Sequence, residues 1–339
     1  MPMPAAHDIL NMLSKLTVRR AWNLVRLVSG YGLSVVLRKP LQWGMPYSIS
    51  VEPTTACNLQ CPECPAGLKQ FTRDTGSMSP GLFKSITDQL SDNLLYMLLY
   101  FQGEPYLNRH FFELVRHARE KEIYTAASTN AHFLDPPGAE ETVRSGLDRI
   151  IISLDGIGQE AYAAYRKGGS YDTVTEGIRN LVKSRHDLGS KTPYIILQFI
   201  VFRTNEHQVE EVRQLGKRLG VDEVQIKSAQ IYDFGNGNPL IPSENRHSRY
   251  RKMPDERYAI KSGLKNRCFR MWTSCVVTWD GLVLPCCFDK DAAYRLGDLK
   301  QATFRDVWQG ASYRDFRLKI LKDRKGVGMC CNCTEGLKV

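Results

Sequence analysis

The chain has 339 residues, 42% of them hydrophobic and 24% charged, with a net charge of +10. That length suits one large domain or two ordinary ones, with a core that needs no covalent staples. Its ten cysteines fall in three groups, Cys57–Cys64, Cys268–Cys287 and Cys330–Cys333. In a chain with no secretory signal such grouping excludes a disulfide framework and reads as metal ligation in a reducing, cytoplasmic setting.

Residues 1–46 form a basic helical segment, in which Lys15, Arg19, Arg20, Arg26, Arg38 and Lys39 stand against Asp8 alone. No uncharged run there approaches the ~20 residues of a membrane span. The expected arrangement packs Leu13, Leu16, Val25 and Val28 on the main domain and leaves the arginines in water. A second reading lays residues 1–40 peripherally on the anionic inner face of a membrane. Contact with nucleic acid is the least favoured reading.

From Tyr47 to Tyr232 the chain alternates. Apolar strand patterns occur in "YSISVEP", "LLYMLLYFQGEP", "EIYTAASTN", "DRIIISLDG", "YIILQFIVF" and "DEVQIKSAQI". Helical faces lie between them: Phe111, Leu114, Val115 and Ala118; then Val174, Ile178, Leu181 and Val182 behind a Ser170 cap; then Val209, Val212, Leu215 and Leu219 before Gly220. Six such units predict an α/β fold with a parallel sheet, as a partial (β/α)6 TIM-like barrel, a full barrel or an open sheet. In each, the site gathers at the C-terminal ends of the strands. Residues 233–266, rich in Gly, Pro and Asn, read as a connector. Residues 267–339 read as a small cysteine-rich extension with a hairpin at Asp280-Gly281 and a helix near Phe304–Leu318.

"CNLQCPEC" places Cys57, Cys61 and Cys64 just past the first strand, with no fourth cysteine nearby. An iron–sulfur cubane normally takes one thiolate per iron, so three leave one iron open. A zinc ion completed by a distant ligand is the competing reading of the spacing.

C-x3-C-x2-C after the first strand of a β/α domain resembles the radical S-adenosylmethionine (radical SAM) superfamily. The resemblance implies that the open iron chelates SAM, and that one electron cleaves SAM to a 5′-deoxyadenosyl radical that takes a substrate hydrogen. It implies an external one-electron donor such as flavodoxin or ferredoxin. "QGEP" is similar to the family's glycine-glutamate motif, so Gln102, Gly103 and Glu104 are expected at the SAM amino group, with Gln102 where glycine is usual. By the same resemblance Ser153 and Asp155 of "SLDG" meet the SAM ribose or carboxylate, and Arg166 the carboxylate. Asn130 and Gln198 are expected as further contacts. Lys227 is a candidate on the same footing as Gln198, since strand polarity alone does not say which way either faces. Glu63 stands where relatives often have an aromatic residue by the adenine.

Cys268, Cys286, Cys330 and Cys333 form C-x17-C…C-x2-C. This resembles the SPASM and twitch extensions of radical SAM enzymes and implies one auxiliary 4Fe–4S cluster, because the longer two-cluster pattern is absent. Cys275, Cys287 and Cys331 are expected as bystanders; a shift of one residue to Cys287 or Cys331 is the alternative assignment. A fully ligated cluster suits electron transfer, so the expected outcome is a two-electron oxidation of a small molecule or peptide. The helical segment before Cys57 favours a substrate recognised without an attached leader-binding domain. Redox-neutral chemistry, including chemistry on a lipid or lipid-linked sugar, stays open, as does, less favoured, a metal-cysteine protein that binds nucleic acid.

Overall fold

A computed structural model describes residues 6–333. The first five positions of the basic segment and residues 334–339 of the cysteine-rich extension lie outside the described residues. The six expected strands are β1 (Ser48–Val51), β2 (Tyr96–Leu98), β3 (Tyr124–Thr129), β4 (Arg149–Ser153), β5 (Tyr194–Val201) and β6 (Glu223–Ser228). They pair in parallel, in chain order, as a mostly parallel α/β sheet of partial-barrel type.

One face of this sheet lies under helices Pro80–Leu90, Phe111–Glu120, Pro136–Arg144, Tyr171–Asp187 and Val209–Leu219. Ile150, Ile152, Ile195, Leu197, Phe199 and Val201 point into that layer and are wholly buried. The helical faces read from the sequence supply the other side: Phe111, Leu114, Val115 and Ala118, then Val174, Ile178 and Leu181, are wholly buried. Ser170 caps its helix by accepting from the Thr173 amide. Gly220 ends the Val209–Leu219 helix in the left-handed region, where glycine has no Cβ penalty.

The other face is more polar than the apolar runs suggest. Paired residues in a sheet share a face. Register puts Ser128 across from Ile151, Ser153 across from Gln198, Gln198 across from Gln225, and Ile200 across from Lys227. The inner face is thus lined with groups that can meet a polar ligand.

The connector carries its own small hairpin, β7 (Tyr250–Lys252) with β8 (Tyr258–Ile260). The extension is fused to the main sheet. Its strand β9 (Ser274–Val277) runs parallel beside β1, and β10 (Leu282–Leu284) and β11 (Gly297–Asp298) continue the sheet antiparallel. The hairpin at Asp280-Gly281 joins β9 to β10, and Gly281 takes the positive φ of 93° that such a turn requires. The predicted helix is two, Phe304–Gln309 and Ala311–Asp323. A buried ion pair joins the layers. Arg73, from the loop after the cysteines, forks onto Glu52 at the end of β1, and Glu52 also accepts from the amide of Trp279 in the extension.

The N-terminal segment forms two helices, α1 (Ala6–Ser14) and α2 (Val18–Leu37); Arg19 and Arg26 face water as expected, but the apolar residues expected to pack are turned outward. Leu13, Leu16, Val25 and Val28 are exposed, while Asp8, Arg20, Asn23 and Ser34 are buried. The reason is hydrogen bonding. Arg20 donates to the carbonyls of Lys15, Ser91, Lys121 and Glu122. Asn23 bonds both the amide and the carbonyl of Met45. Asp8 accepts from Tyr124 and Arg149, the first residues of β3 and β4. The segment closes the N-terminal end of the barrel with polar groups. No helix among the described residues is long and apolar enough to cross a membrane.

Candidate active site

Cys57, Cys61 and Cys64 line a cavity of about 260 Å³ at the C-terminal ends of the strands. The same cavity is lined by Gln102, Gly103, Glu104, Asn130, Ser153 and Arg166. With Ile200 of β5, residues from five separate strand ends therefore converge, as the parallel topology dictates. Burial pushes the Cys57 thiol up to about 11 and raises Cys61 as well. Thiolates here need a cationic partner, and bound iron is one, so the donor set fits an iron–sulfur cluster.

Gly103 has φ of 74°, and a Cβ there would lie 2.3 Å from the Thr54 carbonyl and 2.7 Å from that of Ala56. Glycine is needed because this turn presses against the chain leading into the cysteine loop. It presents Glu104, which accepts from the Thr129 hydroxyl at 2.8 Å, the Asn130 amide at 2.8 Å and the Tyr106 amide at 3.3 Å. Burial outweighs these donors and pushes the Glu104 carboxyl up to about 7. Such a carboxyl is suited to accept an ammonium.

Asp155 does not line the cavity. It is fully buried behind it, pairing with Arg166 Nη2 at 2.5 Å and Nε at 2.6 Å, and accepting from the Ile200 amide at 2.7 Å. Arg166 Nη1 lies 3.9 Å from Cys61 Sγ. Arg166 is thus held by Asp155 and aimed at the cysteine loop. Asn130 donates to Asn58 Oδ1 at 2.7 Å, tying β3 to the same loop. Gln198 sits on the inner face of β5, one residue pair below Ile200, which lines the cavity. Lys227 faces inward beside Ile200 and is exposed.

Eight residues of the lining escaped the sequence reading, Leu59, Gly67, Thr129 and Ile200 among them. Ser128 precedes Asn130 by one strand period, a signal that was available. Tyr165 adjoins Arg166 and packs on Phe202 with ring centroids 4.0 Å apart. Phe101 precedes Gln102. Lys290 comes from the extension and stands 4.6 Å over the Tyr232 ring; nothing in its local sequence points to this cavity. Glu63 accepts from the Tyr232 amide and so anchors the connector.

Cys268, Cys286, Cys330 and Cys333 line a second cavity, of about 240 Å³. The one-residue alternatives lie elsewhere. Cys287 and Cys331 are exposed, and Cys331 bonds the Lys325 and Val327 carbonyls. Cys275 is buried beside Tyr313 and Arg317, and burial pushes its thiol up to about 12. Arg324 donates to Cys333 Sγ at 3.2 Å, and burial pushes Cys330 up to about 11. Three buried thiols and the half-buried Cys286 around one cavity fit a saturated cubane.

Between the two lies a third cavity, of about 410 Å³. Phe101 lines both it and the first cavity. Cys286 lines both it and the second. Its walls are the inner faces of β1 and β2, with Ser48, Ser50, Tyr96 and Tyr100, and Arg270 from the extension.

Comparison with known proteins accords with this geometry. The radical SAM superfamily model matches residues 51–215, and the SPASM iron–sulfur cluster-binding domain matches residues 268–334. The chain belongs to the radical SAM superfamily, and it is an enzyme of SAM and 4Fe–4S clusters with a C-terminal SPASM domain. It is similar to the tungsten-containing aldehyde ferredoxin oxidoreductase cofactor-modifying protein of Pyrococcus furiosus, 27% identical over 79% of this chain and 82% of that one. It also resembles the PqqA peptide cyclase of Gluconobacter oxydans, 29% identical over 59% of this chain and 55% of that one. The Streptococcus suis SuiB structure bound to its precursor peptide SuiA shares the fold, with a TM-score of 0.62 at 15% identity over 87% of this chain and 72% of that one.

Proposed function

We propose that the protein oxidises a small polar molecule or a peptide side chain by two electrons, in the 410 Å³ cavity between two metal sites. The observation that supports this best is the shared lining. Phe101 joins that cavity to the cysteine loop, and Cys286 joins it to the second cysteine cavity. When bound, the cofactors supply hydrogen abstraction on one side and an electron acceptor on the other.

The chain's own residues hold and orient. Cys57, Cys61 and Cys64 hold the first cluster, and Cys268, Cys286, Cys330 and Cys333 a single auxiliary one. Glu104 accepts the SAM ammonium. Arg166, fixed by Asp155, receives its carboxylate. Gly103 allows the close approach, while Gln102, Asn130 and Ser153 line the remaining path and Gln198 lies below it on the inner face of β5. Arg270 is placed for an anionic group on the substrate. A peptide is favoured by the PqqA peptide cyclase likeness, and a small molecule by the cofactor-modifying relative. An electron donor of flavodoxin or ferredoxin type serves the first site.

The test is anaerobic. The reconstituted protein is given SAM and a strong reductant, and 5′-deoxyadenosine is quantified beside the Cys57/Cys61/Cys64→Ala variant. Nucleoside from the wild type alone is expected. Cys286→Ala is then expected to keep SAM cleavage but lose the oxidised product. A variant that still forms oxidised product would sink the electron-acceptor role.

A further inference from the structure

The exposed apolar surface is concentrated in one place. Twelve of the seventeen large apolar side chains exposed among the described residues fall between Ile9 and Trp43, so the surface is a patch and not a scatter. On α2, Val18, Trp22, Val25, Leu33 and Val36 recur at helical spacing along one outward stripe, with Val18 87% and Trp22 63% exposed. On α1, Leu10 stands opposite Asp8, whose carboxylate is buried at the first residues of β3 and β4. Soluble helices turn their apolar stripe inward. Here the inward side sets the buried Arg20, Asn23 and Ser34 beside Leu27, and a second, longer apolar stripe is left outside. A patch of this kind marks an interaction surface.

Charge indicates what covers it. α2 carries Arg19, Arg20 and Arg26 and no carboxylate. Arg26 is exposed on the flank of the apolar stripe, as is Arg19, which pairs with the exposed Asp92 at 2.8 Å, and Lys39 follows beyond the helix end. Asp8, the single acid before Trp43, is buried. A second copy docking on this stripe would set these cations against themselves, a repulsive arrangement. An apolar stripe with tryptophan and a basic flank matches an anionic bilayer surface. The helix cannot cross, since three arginines interrupt it.

We infer that α1 and α2 form a docking face for an anionic lipid surface. The helices lie in the headgroup plane, with Leu10, Trp22 and Val25 inserted and Arg19 and Arg26 on lipid phosphates. α1 sits at the N-terminal end of the barrel, and the cysteine loops sit at the C-terminal end. The catalytic rim therefore faces water, and its substrate need not be a lipid. This inference stands apart from the proposed reaction.

The test uses the full-length, cluster-loaded protein and co-sedimentation with two vesicle types, phosphatidylcholine alone and phosphatidylcholine with phosphatidylglycerol. Binding to the anionic vesicles, weakened by salt, is expected. Arg19→Gln/Arg26→Gln is expected to bind about thirtyfold more weakly, from roughly a factor of five per basic residue near an anionic surface. Trp22→Ser/Val25→Ser is expected to abolish binding while iron content stays at the wild-type level, which reports an intact fold. Protein left in the supernatant with both vesicles overturns the inference, as does equal binding to uncharged lipid. A dimer by light scattering that Trp22→Ser/Val25→Ser converts to monomer, without vesicle uptake, overturns it in favour of a second copy.

Discussion

Arg166 and Asp155 form a two-pronged ion pair directly behind the three-cysteine loop, with Nη2 and Nε at 2.5 and 2.6 Å from the same carboxylate oxygen. Burial raises the Asp155 pKa, and the guanidinium offsets only part of that rise. Asp155→Asn leaves a buried guanidinium without its counter-charge. A broken buried pair costs about 3–5 kcal/mol. Lower thermal stability and weaker SAM binding are expected together. Asp155→Asn/Arg166→Gln should recover much of the stability and none of the SAM affinity, read by calorimetry on the same preparations. Recovery of SAM binding in the double variant would show that Arg166 serves the fold alone.

Glu104 gives the pH dependence. Its carboxyl is pushed up to about 7 by burial, above its unfolded value. The free site therefore holds a neutral acid below about pH 7. An ammonium is best accepted by the carboxylate, so binding below that pH must release a proton. SAM affinity should rise as pH climbs toward 7, by at most about tenfold per unit for one proton, and then level off. The same shift acts on folding with a fixed sign. The folded state holds the extra proton, so this group's contribution is full below the unfolded pKa and is lost as pH rises through 7. Glu104→Gln should bind SAM more weakly with a flat profile, measured by isothermal titration across that range.

The ligand assignment predicts iron content. Two cubanes give about eight irons per chain. Cys57/Cys61/Cys64→Ala and Cys268/Cys286→Ala should each retain about four. Cys287→Ala and Cys331→Ala, whose side chains are exposed and outside the 240 Å³ cavity, should retain about eight. Loss of a cluster in either would move the assignment by one residue.

Chemistry was legible in the sequence where covalent spacing carries it. Cys57, Cys61 and Cys64 share one loop, and Glu104 and Ser153 mark strand ends. The strands were legible because apolar runs bounded by turns need little context. Three features were not. Lys290 reaches the first cavity only because β9 pairs with β1, a contact 226 residues apart in sequence that no local pattern encodes. The polar inner face of the barrel depends on register, which apolar content does not specify. The inverted packing of α2 rests on Arg20 finding four carbonyls from three other turns of chain. Amphipathic periodicity showed that the helix has two faces and gave the wrong one to the core.

Gly103 offers a sharp test of the turn that carries Glu104. Its φ of 74° is strained for any other residue, and a Cβ would sit within 2.9 Å of three backbone atoms from Thr54 to Ala56. None of these is the tip of a flexible side chain, so the cysteine loop itself must shift. The adjacent bond from the Glu104 amide to the Ala56 carbonyl, 2.7 Å long, transmits that shift to the carboxylate. Gly103→Ala should therefore lower thermal stability by more than the ~1 kcal/mol typical of a point change and weaken SAM binding at least tenfold. Gly81→Ala, at a helix position with open space around the added methyl, is the control and should do neither. If Gly103→Ala loses stability but binds SAM normally, the glycine serves the turn and the positioning of Glu104 does not depend on it.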